Sequence, residues 1–475
     1  MHIRGSIPAA PDRLMEGTAE MNYQVVNPAT GELEAEYPVA TDAEITQVLE
    51  RAHEGYRSWR QSSWQERAQV LHRVAAIYEE RINELGPIIT REMGKTTAEA
   101  IGELEFTVGI YQYYADNGPD LLKDEPIPSN TPGKAWVRRS PVGPLLGIMP
   151  WNYPYYQVAR FAAPNLMIGN TIILKHAPQC PESALAMEQI FRDAGLPDDA
   201  YINVFATNEQ VADMIADPRV CGVSVTGSER AGSAVAAVAS KHLKKVVLEL
   251  GGSDPFIVLD TDDVAGVAQA ATAARMENGG QACNAAKRMI VADGVYDDFL
   301  GEFTRAMAAQ VTGDPTDPGV NYGPLSSEQA ARNLMEQVQD AISKGATVHT
   351  GGKRVDRPGA FIEPTVLSGV TPDMRAFREE LFGPVAVVYK VSSADEAVEL
   401  ANSSTYGLGG AVFSTDAELA LSVADRLDVG MAWVNQAEGG GPELPFGGTK
   451  RSGVGRELGP LGIDEFVNKK LIHTT

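Results

Sequence analysis

The chain of 475 residues contains only three cysteines, Cys180, Cys221 and Cys283, and no CxxC pair. So sparse and odd a set gives no disulfide framework and no cysteine zinc site, and it suits a reducing compartment. The seven histidines include no HExxH, so nothing supports metal chemistry. No run approaches the roughly 18–20 apolar residues that span a bilayer. Basic residues are scarce beside acidic ones, 40 Lys and Arg against 63 Asp and Glu, for a net charge of −23. That field disfavours a nucleic-acid partner, whose backbone is bound by clustered cations. The segment MHIRGSIPAAPDRLMEGTAE at the start lacks the apolar stretch of a secretory signal, and Met21 is a candidate natural start. Internal repeats and low-complexity segments are also missing. What remains is a cytoplasmic globular protein without a nucleic-acid or membrane partner.

What is present is an α/β pattern. The chain is too long for one ordinary core, so two or three domains are expected. From Asp42 to Gln112 apolar residues recur at helical intervals. Residues 119–141 turn Pro-rich and alternating, as in a hairpin or arm. Strands are then expected at Thr171–Lys175, Tyr201–Phe205, Gly222–Thr226 and Lys245–Leu250. Helices between them fall at Glu182–Ala194, Gln210–Ala216 and Arg230–Ala239. A second series follows, with strands FIVLD, RMIVA, VAVVYK, AVFS and AWVN separated by helical segments. Repeated strand–helix–strand units of this length form parallel sheets with helices on both faces. The fold class is therefore α/β, with two doubly wound, Rossmann-like domains meeting near residues 250–253 and a cleft between them.

Two segments at that junction carry chemistry. NGGQACNAAKR holds Cys283, and LELGGSDP holds Glu249 at the end of an apolar run. A thiol and a carboxylate are the groups needed to make and then hydrolyse a thioester. The neighbouring glycines let a bulky partner approach the main chain. A lone cysteine in an apolar stretch is also a common packing residue. The dinucleotide fingerprint GxGxxG does not follow a first strand here. VSVTGSERAG offers instead a strand, then Gly227, Ser228 and Gly232 opening a helix. Such an N-terminus attracts phosphate through its unsatisfied N–H groups, or is simply a capped turn.

With these residues in view, the chain resembles the aldehyde dehydrogenase superfamily from about residue 23 to the end. The matching segments are MPWNYP (Met149–Pro154), LKHAP (Leu174–Pro178), TGS (Thr226–Ser228), LELGGSDP (Leu248–Pro255), GGQAC (Gly279–Cys283), EELFGPV (Glu379–Val385) and LPFGGTKRSGVGRELG (Leu444–Gly459). HAPQCPESA, NAAKR and GDPTDP look most like the bacterial single-cysteine succinate-semialdehyde dehydrogenases. The resemblance implies a small-molecule aldehyde oxidised irreversibly to a carboxylic acid. Cys283 would be the nucleophile, and Asn152 with the Cys283 N–H the oxyanion donors. Glu249 would activate water, and Glu457 would assist proton movement or else be a surface acid. It implies NAD or NADP held by Lys175 and Pro178 at the adenosine, by Trp151, Gly227, Ser228 and Gly232 near the pyrophosphate, and by Glu380 and Phe382 at the nicotinamide. It further implies a cofactor domain of residues 1–122 and 142–252, and a catalytic domain of residues 253–455. Residues 123–141 and 456–475 would be a small β arm for self-association as a dimer or tetramer.

Departures from the pattern bear on specificity. Pro178 stands where NAD-preferring members carry a glutamate that repels the extra phosphate of NADP, so NADP use becomes open. Arg160 matches a substrate-carboxylate binder, with a structural salt bridge as the alternative; in the first case Arg160→Ala impairs only acidic aldehydes. Glu277 and Gly440 replace an Arg and a Ser that hold that carboxylate in relatives. Succinate semialdehyde is the best single substrate. The rivals are an aliphatic or aromatic aldehyde against Tyr153, Tyr155, Tyr156 and Trp433, an acylating enzyme using coenzyme A, and a non-catalytic structural homologue. Position 285 is Ala, so no local disulfide switch is expected.

Overall fold

The computed structural model describes residues 22–437 and 439–475; the start assigned to Met21 lies outside them. Four helices lead in, Asp42–Trp59, Trp64–Glu80, Ile82–Met93 and Thr97–Leu121. Three begin with a capping box, Thr41 with Glu44, Ser63 with Glu66 and Thr96 with Glu99, which satisfies end N–H groups reciprocally.

The last three of these helices reach, through the helices Tyr156–Ile168 and Pro181–Asp193, a six-stranded sheet on which the first lies directly. Its order is Gly453–Val454, Lys245–Glu249, Gly222–Thr226, Pro144–Met149, Thr171–His176 and Tyr201–Asn203. All pairs are parallel except the first. A seven-stranded sheet follows: Thr347–Thr350, Thr365–Ser368, Val385–Val391, Ala286–Ala292, Asp254–Val258, Ala411–Phe413 and Trp433–Val434. It is parallel but for its first pair. Val467–Thr474, Lys134–Pro141 and Glu125–Ile127 make a separate antiparallel sheet standing off both.

Two central elements escape the sequence pattern for physical reasons. Pro144–Met149 opens with proline and carries Gly147, both unfavourable in a strand. A Cβ at Gly147 would lie 2.6 Å from the Phe161 ring, so the glycine lets the helix Tyr156–Ile168 sit down on the sheet. That helix is buried from Gln157 through Ile168 and contains Pro164, leaving no polar face to give it a period. The boundary at 455 also needs correcting. Gly453–Val454 pairs with Leu248 and Glu249 of the first sheet, so the chain returns to that unit before residue 455.

Candidate active site

Of the residues expected at the cofactor, Trp151, Lys175, Pro178, Gly227 and Ser228 lie at the carboxyl end of a strand or just beyond one, whereas Gly232 lies inside the helix Glu229–Lys241 and Glu380 and Phe382 precede the strand Val385–Val391. In the first sheet Trp151 follows Pro144–Met149, Lys175 and Pro178 end Thr171–His176, and Gly227 and Ser228 follow Gly222–Thr226. Ligands of open parallel sheets bind at that edge. Lys175 is buried, with its ammonium held down to about 8 by burial alone and no ion-pair partner among the described residues. A buried cation without a partner suits an anionic or hydroxyl-bearing ligand. Ser228 caps the helix Glu229–Lys241, its Oγ accepting from Ala231 N–H at 3.3 Å. A Cβ on Gly227 would meet nothing within 4 Å, so the turn is open to a ligand. Gly232 does something else: a Cβ there would sit 2.6 Å from Leu250, so it packs the helix against the strand rather than facing a phosphate. The Trp151 and Phe382 rings meet edge-on at 5.7 Å. These groups fit a nicotinamide dinucleotide lying along the sheet edge.

The two glycines after Glu249 admit the protein's own groups. A Cβ on Gly251 would fall 2.3 Å from Glu380 Oε2, and one on Gly252 would fall 2.4 Å from the Cys283 carbonyl oxygen. Bare backbone thus lets the Cys283 segment and Glu380, both on the second unit, close against the first. Gly252 N–H donates to Glu380 Oε1 at 3.0 Å.

Cys283 leaves a tight turn. Asn278, Gly279 and Gly280 have φ of 51°, 61° and 79°, and a Cβ on Gly280 would strike the Gly383 carbonyl at 2.2 Å. Only glycine fits at 280. The thiol faces a cavity of about 460 Å³, and burial pushes it up to about 12 against the pull of Arg160 and Lys287. Asn152 is buried; its Nδ2 donates to Gln281 O at 3.0 Å and its Oδ1 accepts from Gln157 at 3.1 Å. The amide group is therefore held with its second N–H to spare. Glu249 is buried with neither carboxylate oxygen hydrogen-bonded. Burial first, then the nearby Glu457, makes it a much weaker acid, its pKa well above the ordinary carboxylate range.

Glu457 is not a surface acid. It is buried, accepts from Ser224 Oγ at 3.2 Å, and has Oε2 2.8 Å from Arg160 Nε. The contact is an ion pair rather than an aligned hydrogen bond, since neither atom counts as bonded. Arg160 also donates to Tyr156 OH at 3.3 Å and lies 4.4 Å from the Phe446 ring centre. It does not line the cavity, whereas Phe446 and Tyr156 do. The structural salt bridge is thus the geometry Arg160 has. Arg160→Met is expected to cost about 3–5 kcal/mol in urea unfolding, the penalty of leaving a buried charge unpaired. Its activity should fall for acidic and neutral aldehydes alike; a loss confined to acidic aldehydes in a fully stable variant would overturn this.

Glu277 and Gly440 line the cavity. Tyr153 OH donates to Glu277 Oε1 at 2.5 Å. A Cβ on Gly440 would come no nearer than 3.9 Å to Phe106, leaving room for a larger side chain. Tyr153, Tyr156 and Trp433 form apolar wall as expected, but Tyr155 does not: it is fully buried with its ring edge-on to Tyr78 at 5.8 Å. Sequence reading missed Gln157, which orients Asn152, and Asn278, whose Nδ2 donates to Asn152 O at 2.9 Å. No spacing rule marks residues that act only through a neighbour. Groups able to hold a metal are absent among the described residues.

Residues 15–472 match the model of the aldehyde dehydrogenase family. The chain is 56% identical over 453 residues to a succinate-semialdehyde dehydrogenase [NADP(+)] of Deinococcus radiodurans, covering 95% of each. Identity is 42% over 454 residues to succinate-semialdehyde dehydrogenase [NADP(+)] 1 of Mycobacterium tuberculosis, covering 95% of this chain and 99% of the relative. Among solved structures, succinic semialdehyde dehydrogenase of Streptococcus pyogenes in complex with NADP+ superposes with a TM-score of 0.93 at 42% identity, covering 95% and 99%.

Proposed function

Because the chain belongs to the aldehyde dehydrogenase family, we propose that it oxidises an aldehyde to a carboxylic acid with NADP+, succinate semialdehyde being the first substrate to try. The observation that carries the reading is that Cys283 opens onto the cavity while Asn152 is bonded to the Gln281 carbonyl two residues before it and the buried Glu249 lies close enough for its charge to act on the thiol. Cys283 attacks the aldehyde carbon. Asn152 Nδ2 and the Cys283 N–H stabilise the oxyanion that develops. NADP+, held along the first sheet, would supply the hydride acceptor. Glu249 then takes a proton from water, which hydrolyses the thioester, and Glu457 behind it receives or passes that proton. Lys175 and Pro178 take the adenosine end, where no carboxylate opposes a 2′-phosphate. Trp151, Gly227 and Ser228 lie along the pyrophosphate, and Glu380 and Phe382 at the nicotinamide.

The same reading makes the first sheet the cofactor-binding unit and the second the catalytic one. It places the protein in the cytoplasm, in keeping with three free cysteines. Among the described residues no helix is long and apolar enough to cross a membrane. The three-stranded sheet has exposed Ile127 and Leu471 and an unpaired edge, which supports self-association as a dimer or tetramer through that arm. Size-exclusion chromatography with light scattering distinguishes these from a monomer.

A second reading, a non-acidic aldehyde, is favoured by one observation. The charged residues lining the cavity are Glu99, Glu103 and Glu277, with no cation among them. Lys95 neutralises Glu103 at 2.8 Å, but Glu277 Oε2 has no partner. The test is kcat/KM for succinate semialdehyde, butanal and benzaldehyde, each with NAD+ and NADP+. Succinate semialdehyde leading with NADP+ supports the first reading, and butanal leading supports the second. Failure of every aldehyde with both nucleotides overturns both. The double change Glu277→Arg and Gly440→Ser is expected to raise the ratio of kcat/KM for succinate semialdehyde over butanal at least tenfold. It replaces a repulsive charge by a fork that matches a carboxylate.

A further inference from the structure

Next to Cys283, and outside the cavity lining, are two buried cations that the reaction scheme does not use. Lys287 Nζ donates to the carbonyl oxygens of Ala282 at 3.1 Å, Cys283 at 2.9 Å and Ala285 at 3.1 Å. Arg275 Nη2 donates to the Gly280 carbonyl at 2.7 Å. Two cations thus hold four carbonyls on both sides of the nucleophile. Lys287 also stands 3.4 Å from Glu380 Oε1, the oxygen that accepts from Gly252 N–H. Its side chain is 1% exposed, so water does not share in these contacts.

We infer that Lys287 is a positioning residue for the nucleophile, resting on the reading of Cys283 given above. An ammonium has three N–H donors and this one meets three carbonyls, so its coordination is filled by a single turn of backbone. A trans peptide sets its N–H opposite its carbonyl, so holding the Ala282 carbonyl turns the Cys283 N–H away from the ammonium, while the Cys283 and Ala285 carbonyls fix the backbone that carries the thiol. The positive charge, one peptide from the sulfur and shielded from solvent, also favours the thiolate over the thiol. Its contact with Glu380 makes the same side chain a link between the nucleophile turn and the nicotinamide end of the cofactor groove. Asp254 and Glu380 are the acids facing Lys287, and Arg275 and the thiol complete its charged surroundings.

The test compares Lys287→Met, Lys287→Gln and Lys287→Arg in the full-length protein without nucleotide, reading alkylation of Cys283 by iodoacetamide at pH 8.5. Peptide mass mapping separates Cys283 from Cys180 and Cys221. A merely structural lysine predicts that its loss loosens the turn and speeds alkylation. A positioning cation predicts the reverse: alkylation slower by tenfold or more in Lys287→Met and Lys287→Gln, largely restored in Lys287→Arg. The kcat for aldehyde oxidation should fall in parallel in the first two. Faster or unchanged alkylation in whichever neutral variant folds overturns the inference. Should the wild type alkylate normally yet oxidise no aldehyde, the reading of the reaction fails while the role of Lys287 in shaping the thiol is still decided by these rates.

Discussion

Cys283→Ala is expected to lower aldehyde oxidation by roughly 10⁴–10⁶-fold, the scale on which a covalent nucleophile is lost. The loss should be confined to chemistry. The Cys283 side chain faces a cavity rather than a packed core, and the turn that presents it is held through main-chain carbonyls. Alanine leaves those contacts in place, so urea unfolding should shift by less than about 1 kcal/mol. Nucleotide binding, followed by protein fluorescence, should persist, because the groups expected at the cofactor stand on the first sheet and at Glu380 and Phe382. The intact protein, quenched during turnover, should show an acyl adduct on the peptide spanning Cys283, and the variant none. Turnover within tenfold of the wild type would remove the covalent mechanism and everything built on it.

Glu249→Gln should behave differently, and the difference separates the two halves of the reaction. The carboxamide has the same shape but cannot take a proton from water, so thioester formation should continue while hydrolysis stalls. One equivalent of NADPH per site should appear in a burst, followed by a steady rate lower by about 10²–10⁴-fold. Acyl-enzyme should accumulate and be visible by mass. The pH dependence follows from the direction of the shifts. Burial raises both the Cys283 thiol and the Glu249 carboxyl, so each is protonated at a pH where its free counterpart would be further ionised. Both must lose a proton to act, and wild-type activity should therefore climb as pH rises from 6 to 9. Deacylation measured alone should climb with it, and the climb in deacylation should vanish in Glu249→Gln. Raised folded values also mean that ionising Glu249 opposes folding, so stability from this group declines as pH rises through its folded value. A variant that shows no burst and an undiminished steady rate would move the base to Glu457, which Glu457→Gln would then test.

The proposed reacting groups could be picked out because chemistry restricts residue type. Few side chains form thioesters, and a thiol beside glycines with a carboxylate at a strand end is an uncommon pairing. The alternation of strands and helices was legible in amphipathic helices and in short apolar runs, even where such a run is buried on both faces, as at Gly222–Thr226. It failed at Pro144–Met149, which opens with proline and carries Gly147, and at Tyr156–Ile168, a helix buried from Gln157 onward with no polar side to set a period. Residue roles failed in the same way. Arg160 and Glu457 each had two readings from sequence, and only their 2.8 Å approach inside the protein chose between them. Tyr153 and Tyr155 are two positions apart, yet one reaches the cavity and the other packs on Tyr78.

From its sequence alone this chain has its architecture, its family and a candidate nucleophile, because periodicity and residue chemistry are local properties. Folding decided which charges meet. Lys287 reaches three carbonyls, Arg160 turns toward Glu457 instead of the substrate cavity, and Glu277 faces that cavity beside Tyr153. Those pairings join segments far apart in the chain, or backbone atoms every residue shares, and low-dielectric burial makes each one count for more than it would in water.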